Sequence, residues 1–240
     1  MINWGVAVLQ LKGLELRQGS FELVANLRVR AGRRVAVIGP SGAGKSTLLN
    51  AIAGFLPHRG RVVIAGQDIT QHRPEARGIA MLFQDANLFP HLTLLQNVGL
   101  GLRARLRLRP EEKALCTDAL ARVGLAGYER RRPAELSGGQ QSRAALARVL
   151  VQRNPLLLLD EPFAALGPAL RREMLDLVAE LSEETGATVL LVTHSPEDVT
   201  RFAQDAIWIE NGRAAPPQDA KQLIANPPEG LEAYLGRTPG

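Results

Sequence analysis

The chain lacks most of the features that staple or anchor a protein. Its single cysteine, Cys116, excludes internal disulfides and a cysteine-rich metal site. Apolar runs such as Leu156–Leu159 and Val189–Val192 fall far short of the ~18 residues a membrane-crossing helix needs. No charged segment leads into an apolar one at the start, so no secretory leader is expected and the chain reads as cytosolic. No internal repeat and no Ser- or Gly-rich linker divides it. Lysine is scarce: all but four of the 29 basic residues are arginine, set against 24 acidic ones for a net charge of +5. A basic balance suits nucleic acid or an anionic membrane. Here the arginines are scattered, densest at Arg103, Arg105, Arg107, Arg109 and Arg130–Arg132, and read as a solvated surface. With 45% apolar and 22% charged residues, 240 residues suffice for one α/β domain with an inserted subdomain and exclude a disordered chain.

Apolar and polar residues alternate over the first ~30 positions (Val6, Val8, Leu9, Leu11, then Leu23, Leu27, Val29), as in half-buried strands. Arg34–Ile38 is a β-branched run ending at a Gly-rich turn, after which Ser46–Ala53 has helical character. Arg61–Ile64 and Ile79–Phe83 read as further strands. From about Asn87 to Pro133 the spacing becomes helical, with Leu102, Leu106, Leu115, Leu120 and Val123 expected on a buried stripe. One helix is expected to start after Pro110, where Glu111 and Glu112 suit the positive end of its dipole. Helices over Ser142–Gln152, Pro168–Glu184 and Pro196–Phe202 alternate with apolar strands over Leu156–Leu159, Thr188–Val192 and Ala206–Ile209. That alternation predicts a mainly parallel sheet covered on both faces. Pro216, Pro217, Pro227 and Pro228 mark a Pro-rich tail with no room for another domain.

Gly39, Pro40, Ser41, Gly42, Ala43, Gly44, Lys45 and Ser46 fit the phosphate-loop pattern G-x-x-x-x-G-K-[ST] without a gap, between a strand and a helix. The glycines let successive N–H groups turn toward phosphates. Lys45 supplies a point charge for the β- and γ-phosphates, and the Ser46 hydroxyl suits Mg²⁺. The helix N-terminus adds about half a positive charge. The Leu156–Leu159 strand ends in Asp160 and Glu161, where ligands bind in open α/β sheets. Asp160 suits a hydrated Mg²⁺, and Glu161 suits the water that attacks the γ-phosphate.

Leu136, Ser137, Gly138, Gly139 and Gln140 open a further helix. Together with the phosphate loop and the acidic strand end, this pentapeptide resembles the ATP-binding-cassette family over about residues 5–225. The resemblance implies a phosphate-loop NTPase fold with a mainly parallel core sheet, an N-terminal antiparallel β subdomain and a helical subdomain inserted at about 87–150. Residues 226–240 form the tail. It implies ATP with Mg²⁺, and a head-to-tail dimer in which Ser137, Gly138, Gly139 and Gln140 cap ATP held by the partner's Gly39–Thr47 loop. By the same resemblance Gln84 reaches Mg²⁺ and the attacking water, and His194 contacts the γ-phosphate.

The chain departs from the family pattern twice. Where Ser-Ala-Leu-Asp usually follows the acidic pair, it has Ala164, Ala165, Leu166 and Gly167; the missing aspartate normally helps the two subunits communicate. Where an aromatic residue usually stacks on adenine, it has Leu16, Arg17, Gln18, Gly19, Ser20 and Phe21. Arg17 is expected over the base, a cation–π contact of roughly 0.5–2 kcal/mol, with Phe21 as the alternative. The resemblance further implies ATP hydrolysis coupled to a separate membrane permease, with a periplasmic binding protein as an indirect partner and no nucleic acid. The chain would be peripheral on the cytoplasmic face of a bacterial inner membrane. Within the family, Gly39–Asn50 running into Ala53–Leu56, with Met81–Gln84, Asn87–Phe89, His91–Thr93 and Gln96–Leu102, resembles ATPase subunits of thiamine importers. Importers of polyamine, iron or sulfate, a cassette acting on nucleic acid, and a poorly hydrolysing regulatory module are the alternatives.

Overall fold

A computed structural model of the chain describes residues 7–234. Two strands, β1 (Ala7–Gln18) and β2 (Phe21–Arg30), form an antiparallel hairpin. β3 (Arg34–Ile38) follows and runs through the phosphate loop into α1 (Lys45–Ala53). β4 (Arg59–Ile64) and β5 (Gln67–Asp68) complete an antiparallel sheet in the order β5-β4-β1-β2. β6 (Ile79–Leu82) precedes the helical insert of α2 (Leu94–Gly99), α3 (Pro110–Arg122) and α4 (Gly138–Leu150).

Beyond the insert the chain alternates: β7 (Leu156–Asp160), α5 (Pro168–Thr185), β8 (Thr188–Val192), α6 (Pro196–Phe202), β9 (Asp205–Glu210). Short β10 (Arg213–Ala214) and β11 (Gln218–Asp219), then α7 (Ala220–Ala225) and α8 (Glu229–Tyr234), end the described chain. The parallel core has the order β9-β3-β8-β7-β6. β10 joins it to the antiparallel sheet, pairing with β9 on one side and β2 on the other.

The near-continuous burial of β3, β7 and β8 follows from covering both faces of a parallel sheet. Alternate residues point to opposite faces. Leu157, Leu159, Val189 and Leu191 pack with α3 to α7, while Leu156, Leu158, Leu190 and Val192 pack with α1 and the antiparallel strands. The architecture agrees with the expected α/β cassette. At the C-terminal end of α1, the buried Arg77 donates to the Ala51 and Ile52 carbonyls at 3.2 and 2.7 Å, adding donors where the helix runs out of its own. Leu231 of α8, in the stretch read as tail, is fully buried.

The expected stripe in the insert needs correction. Leu120 and Val123 are buried, but Leu106 and Leu115 are 45% and 40% exposed. The helical spacing is interrupted, because α2 ends at Gly99 and α3 starts only at Pro110. Within α3 the inward positions are Cys116, Ala119 and Leu120, followed by its C-cap Val123, an i, i+3, i+4, i+7 series that Leu115 misses by one residue.

Candidate nucleotide site

Two glycines show why the loop after β3 needs its composition. A Cβ on Gly39 would sit 2.1 Å from the Ile209 carbonyl oxygen of β9. Gly44, the N-cap of α1, has φ +105°, and a Cβ there would come 2.7 Å from the Phe21 ring. Lys45 is 5% exposed, and its Nζ donates to the Gly39 and Pro40 carbonyls, both at 2.8 Å. Burial pushes the Lys45 ammonium below the ordinary lysine value, with Glu161 and Asp160 pulling it back up. The ammonium therefore has an electrostatic use for more negative charge than the site supplies.

Ser46 Oγ donates to Asp160 Oδ1 at 2.8 Å. Burial raises the Asp160 carboxyl above its usual range; the Ser46 hydroxyl opposes this and the Glu161 charge adds to it. A cation between Ser46 and Asp160 would relieve that cost. The donors here are hydroxyl and carboxylate oxygens, which suit Mg²⁺. Among the described residues no cluster of three or more His, Cys, Asp and Glu side chains could hold a metal by itself. Mg²⁺ at phosphate sites usually takes only one or two carboxylates, with phosphate and water completing its shell.

Parallel register gathers the rest. Leu82 pairs with Leu159 and Asp160 with Val192, so Gln84, Glu161 and His194 all emerge at one C-terminal sheet edge. Glu161 has φ +48°, a conformation costing of order 1–3 kcal/mol for a residue with a side chain. Its N–H donates to the Val192 carbonyl at 3.3 Å, and its Oε1 meets His194 Nε2. Strain is thus held at the carboxylate that the sequence points to as the water's partner.

A cavity of about 590 Å³, the size of a nucleotide pocket, is lined by Ser41, Gly42, Gly44, Lys45, Ser46 and Thr47, closed by Glu161 and His194. Gln18 and Phe21 complete its wall. The structure does not bring Arg17 to it: that guanidinium is bound to Glu22 Oε1 at 3.0 and 3.2 Å on an exposed strand end. The β1–β2 pairing sets Gln18 opposite Phe21 at the hairpin tip, and this register carries Phe21 to the loop. Gln18 was not anticipated, since only the register reveals it. Gln84 is exposed and lies outside this wall. A second cavity of about 560 Å³ between α4 and α5 is walled largely by side chains such as Leu146, Val149, Leu157, Val178 and Leu181, which cannot cradle phosphates.

Ser137 caps α4. Its Oγ accepts from the Gln140 N–H at 3.3 Å, while Gln140 Oε1 accepts from the Ser137 N–H at 3.0 Å. The Gly138 and Gly139 amides have no acceptor within the helix. None of residues 137–140 lines the cavity of their own chain.

Gly167 is the N-cap of α5, with φ −63° and ψ 157° and no side-chain cap. Any residue can adopt this conformation, and a Cβ would meet open space. Gly167→Asp is expected to cap α5 and restrict the unfolded chain, adding about 0.5–1 kcal/mol and raising Tm by about 1–4 °C. Thermal melting of both proteins checks this; an unchanged or lower Tm would contradict it.

The ABC transporter family model matches residues 24–164. The chain is 59% identical to the thiamine import ATP-binding protein ThiQ of Ruegeria sp. (strain TM1040), over 95% of this chain and 100% of that one. Among solved structures it is similar to an ATP-binding cassette of an ABC transporter in its ADP conformation (TM-score 0.85, 27% identity, 96% and 99% of the two chains). It is also similar to a dimeric cassette in a post-hydrolysis state bound to ADP and Pi (TM-score 0.75, 30% identity, 88% and 98%). The phosphate loop, the acidic strand end and these likenesses converge: the chain belongs to the ABC transporter family and is an ATP-hydrolysing cassette.

Proposed function

We propose that this cassette powers import of thiamine or its phosphates through a separate membrane permease, acting as a pair of identical chains. It would sit on the cytoplasmic face of a bacterial inner membrane, with a periplasmic solute-binding protein delivering cargo from the other side. The observation that carries this reading is the end-to-end similarity to proteins named for thiamine import, at 59% and 57% identity over the full length of each. No helix among the described residues is long and apolar enough to cross a membrane. A separate permease supplies the path in this reading.

In the proposed chemistry the amides of residues 39–47 surround the β- and γ-phosphates, and the Lys45 ammonium exchanges its two carbonyl acceptors for phosphate oxygens. Phe21 lies against the base. Ser46 and Asp160, with Gln84 brought in on closure, hold Mg²⁺, which when bound neutralises charge on the phosphates. Glu161 accepts the proton of the attacking water, and His194 donates to the γ-phosphate. The capped N-terminus at Ser137–Gln140 covers ATP in the partner, so ATP favours the closed pair and hydrolysis removes that bias. That a similar cassette is dimeric with ADP and Pi bound supports a paired assembly.

Proteoliposomes carrying the chain with its permease and binding protein test the reading. Labelled thiamine is expected to accumulate only with ATP. Accumulation of a polyamine, iron or sulfate instead would overturn the cargo while leaving the ATPase assignment in place.

A further inference from the structure

His194 is held through its backbone. Among the described residues its imidazole has one polar partner, Glu161, and its side chain is 42% exposed. Where the ring points is therefore set by the residues on either side. Thr193 and Ser195 are tied into one buried knot. Thr193 Oγ1 donates to Asp198 Oδ2 at 2.6 Å and accepts from the Ser195 N–H at 3.1 Å. Arg171 donates from Nε to Asp198 Oδ2 at 3.0 Å and from its terminal nitrogen to Thr193 Oγ1 at 3.0 Å. Thr193 and Asp198 are 2% and 5% exposed. In such surroundings a charged pair needs good geometry and full satisfaction, which this knot has.

Arg171 stands in the first turn of α5, and its N–H donates to the Gly167 carbonyl at 2.9 Å. The turn before it, Ala164 to Gly167, is largely exposed. A small cavity of about 90 Å³ separates residues 161–164 from residues 191–194, with Arg171 and Asp198 in its wall. Beyond the direct Glu161 contacts with Val192 and His194, the Arg171 knot is a second link between the start of α5 and the end of β8.

We infer that Arg171, acting through Asp198 and Thr193, is a positioning residue for His194, coupling the exposed turn at 164–167 to the imidazole. This rests on the reading of His194 as a γ-phosphate contact. Displacement of that turn by a second copy of this chain moves the α5 N-terminus, and the knot carries the movement to residues 193–195. No side chain at Gly167 is needed for it.

The test is single-turnover ATP hydrolysis by the full chain in its permease complex. Two variants serve: Thr193→Val, which removes the bridging hydroxyl, and Arg171→Met combined with Asp198→Leu, which replaces the charged pair by apolar groups of similar size. Each is expected to lose about tenfold or more in rate, while half-saturation by ATP moves less than about twofold. In a His194→Ala background each is expected to add less than about a further twofold, because the group they position is gone. Losses that multiply with His194→Ala, or a full rate in a variant that melts cooperatively and binds stoichiometric ATP, would overturn the coupling. Wild-type hydrolysis by His194→Ala alone would overturn the reading of His194 and the coupling with it.

Discussion

Glu161→Gln is expected to bind ATP, form a dimer and stop turning over. The substitution keeps the shape of the side chain and the N–H to the Val192 carbonyl, so the strained backbone at φ +48° is unchanged. In the proposed chemistry it removes the group that accepts the water's proton, an effect commonly worth about 10²–10⁴ in rate. It also removes a negative charge beside Lys45 and Asp160, both of which sense Glu161. Repulsion of a triphosphate therefore falls, and ATP affinity is expected to hold or rise. Phosphate release measures the first effect, and a sizing column run with ATP measures the dimer. Turnover within about tenfold of the parent, or an ATP-loaded monomer, would contradict the assignment.

Lys45→Ala is expected to fold normally and lose ATP. Charge-assisted hydrogen bonds contribute roughly 1.5–3 kcal/mol each. Loss of contact with two phosphates thus predicts a fall in affinity of about 10²–10⁴-fold. The fold should not pay for this change. Burial already disfavours the ammonium, and its two acceptors, the Gly39 and Pro40 carbonyls, belong to a loop opening on the cavity where water can replace it. Calorimetric titration with ATP and a melting curve separate the two effects. Unchanged affinity would remove Lys45 from the site, and collapse of the melting transition would reassign it to structure.

Much of this is legible in the sequence. The phosphate loop is contiguous, so its function needs nothing from distant residues except Asp160. Leu156–Leu159 and Thr188–Val192 announce a parallel sheet because both faces of each strand must be apolar. The insert was harder to read: Leu106 and Leu115 are as hydrophobic as Leu120, yet Leu106 falls in the break between α2 and α3 and Leu115 one residue off the inward series of α3.

The residues lying within one stretch of chain, Gly39 to Thr47, Ser137 to Gln140, and Asp160 with Glu161, could be proposed from sequence alone, since backbone amides and neighbouring carboxylates act at fixed short separations. What depends on pairing register or on distant segments came only with the tertiary structure. A hairpin register placed Phe21 at the loop and turned Arg17 to Glu22. Burial joined Arg171 to Asp198 across a separation of 27 positions. Periodicity reports which way a side chain faces along its own element, whereas packing alone decides what stands opposite it.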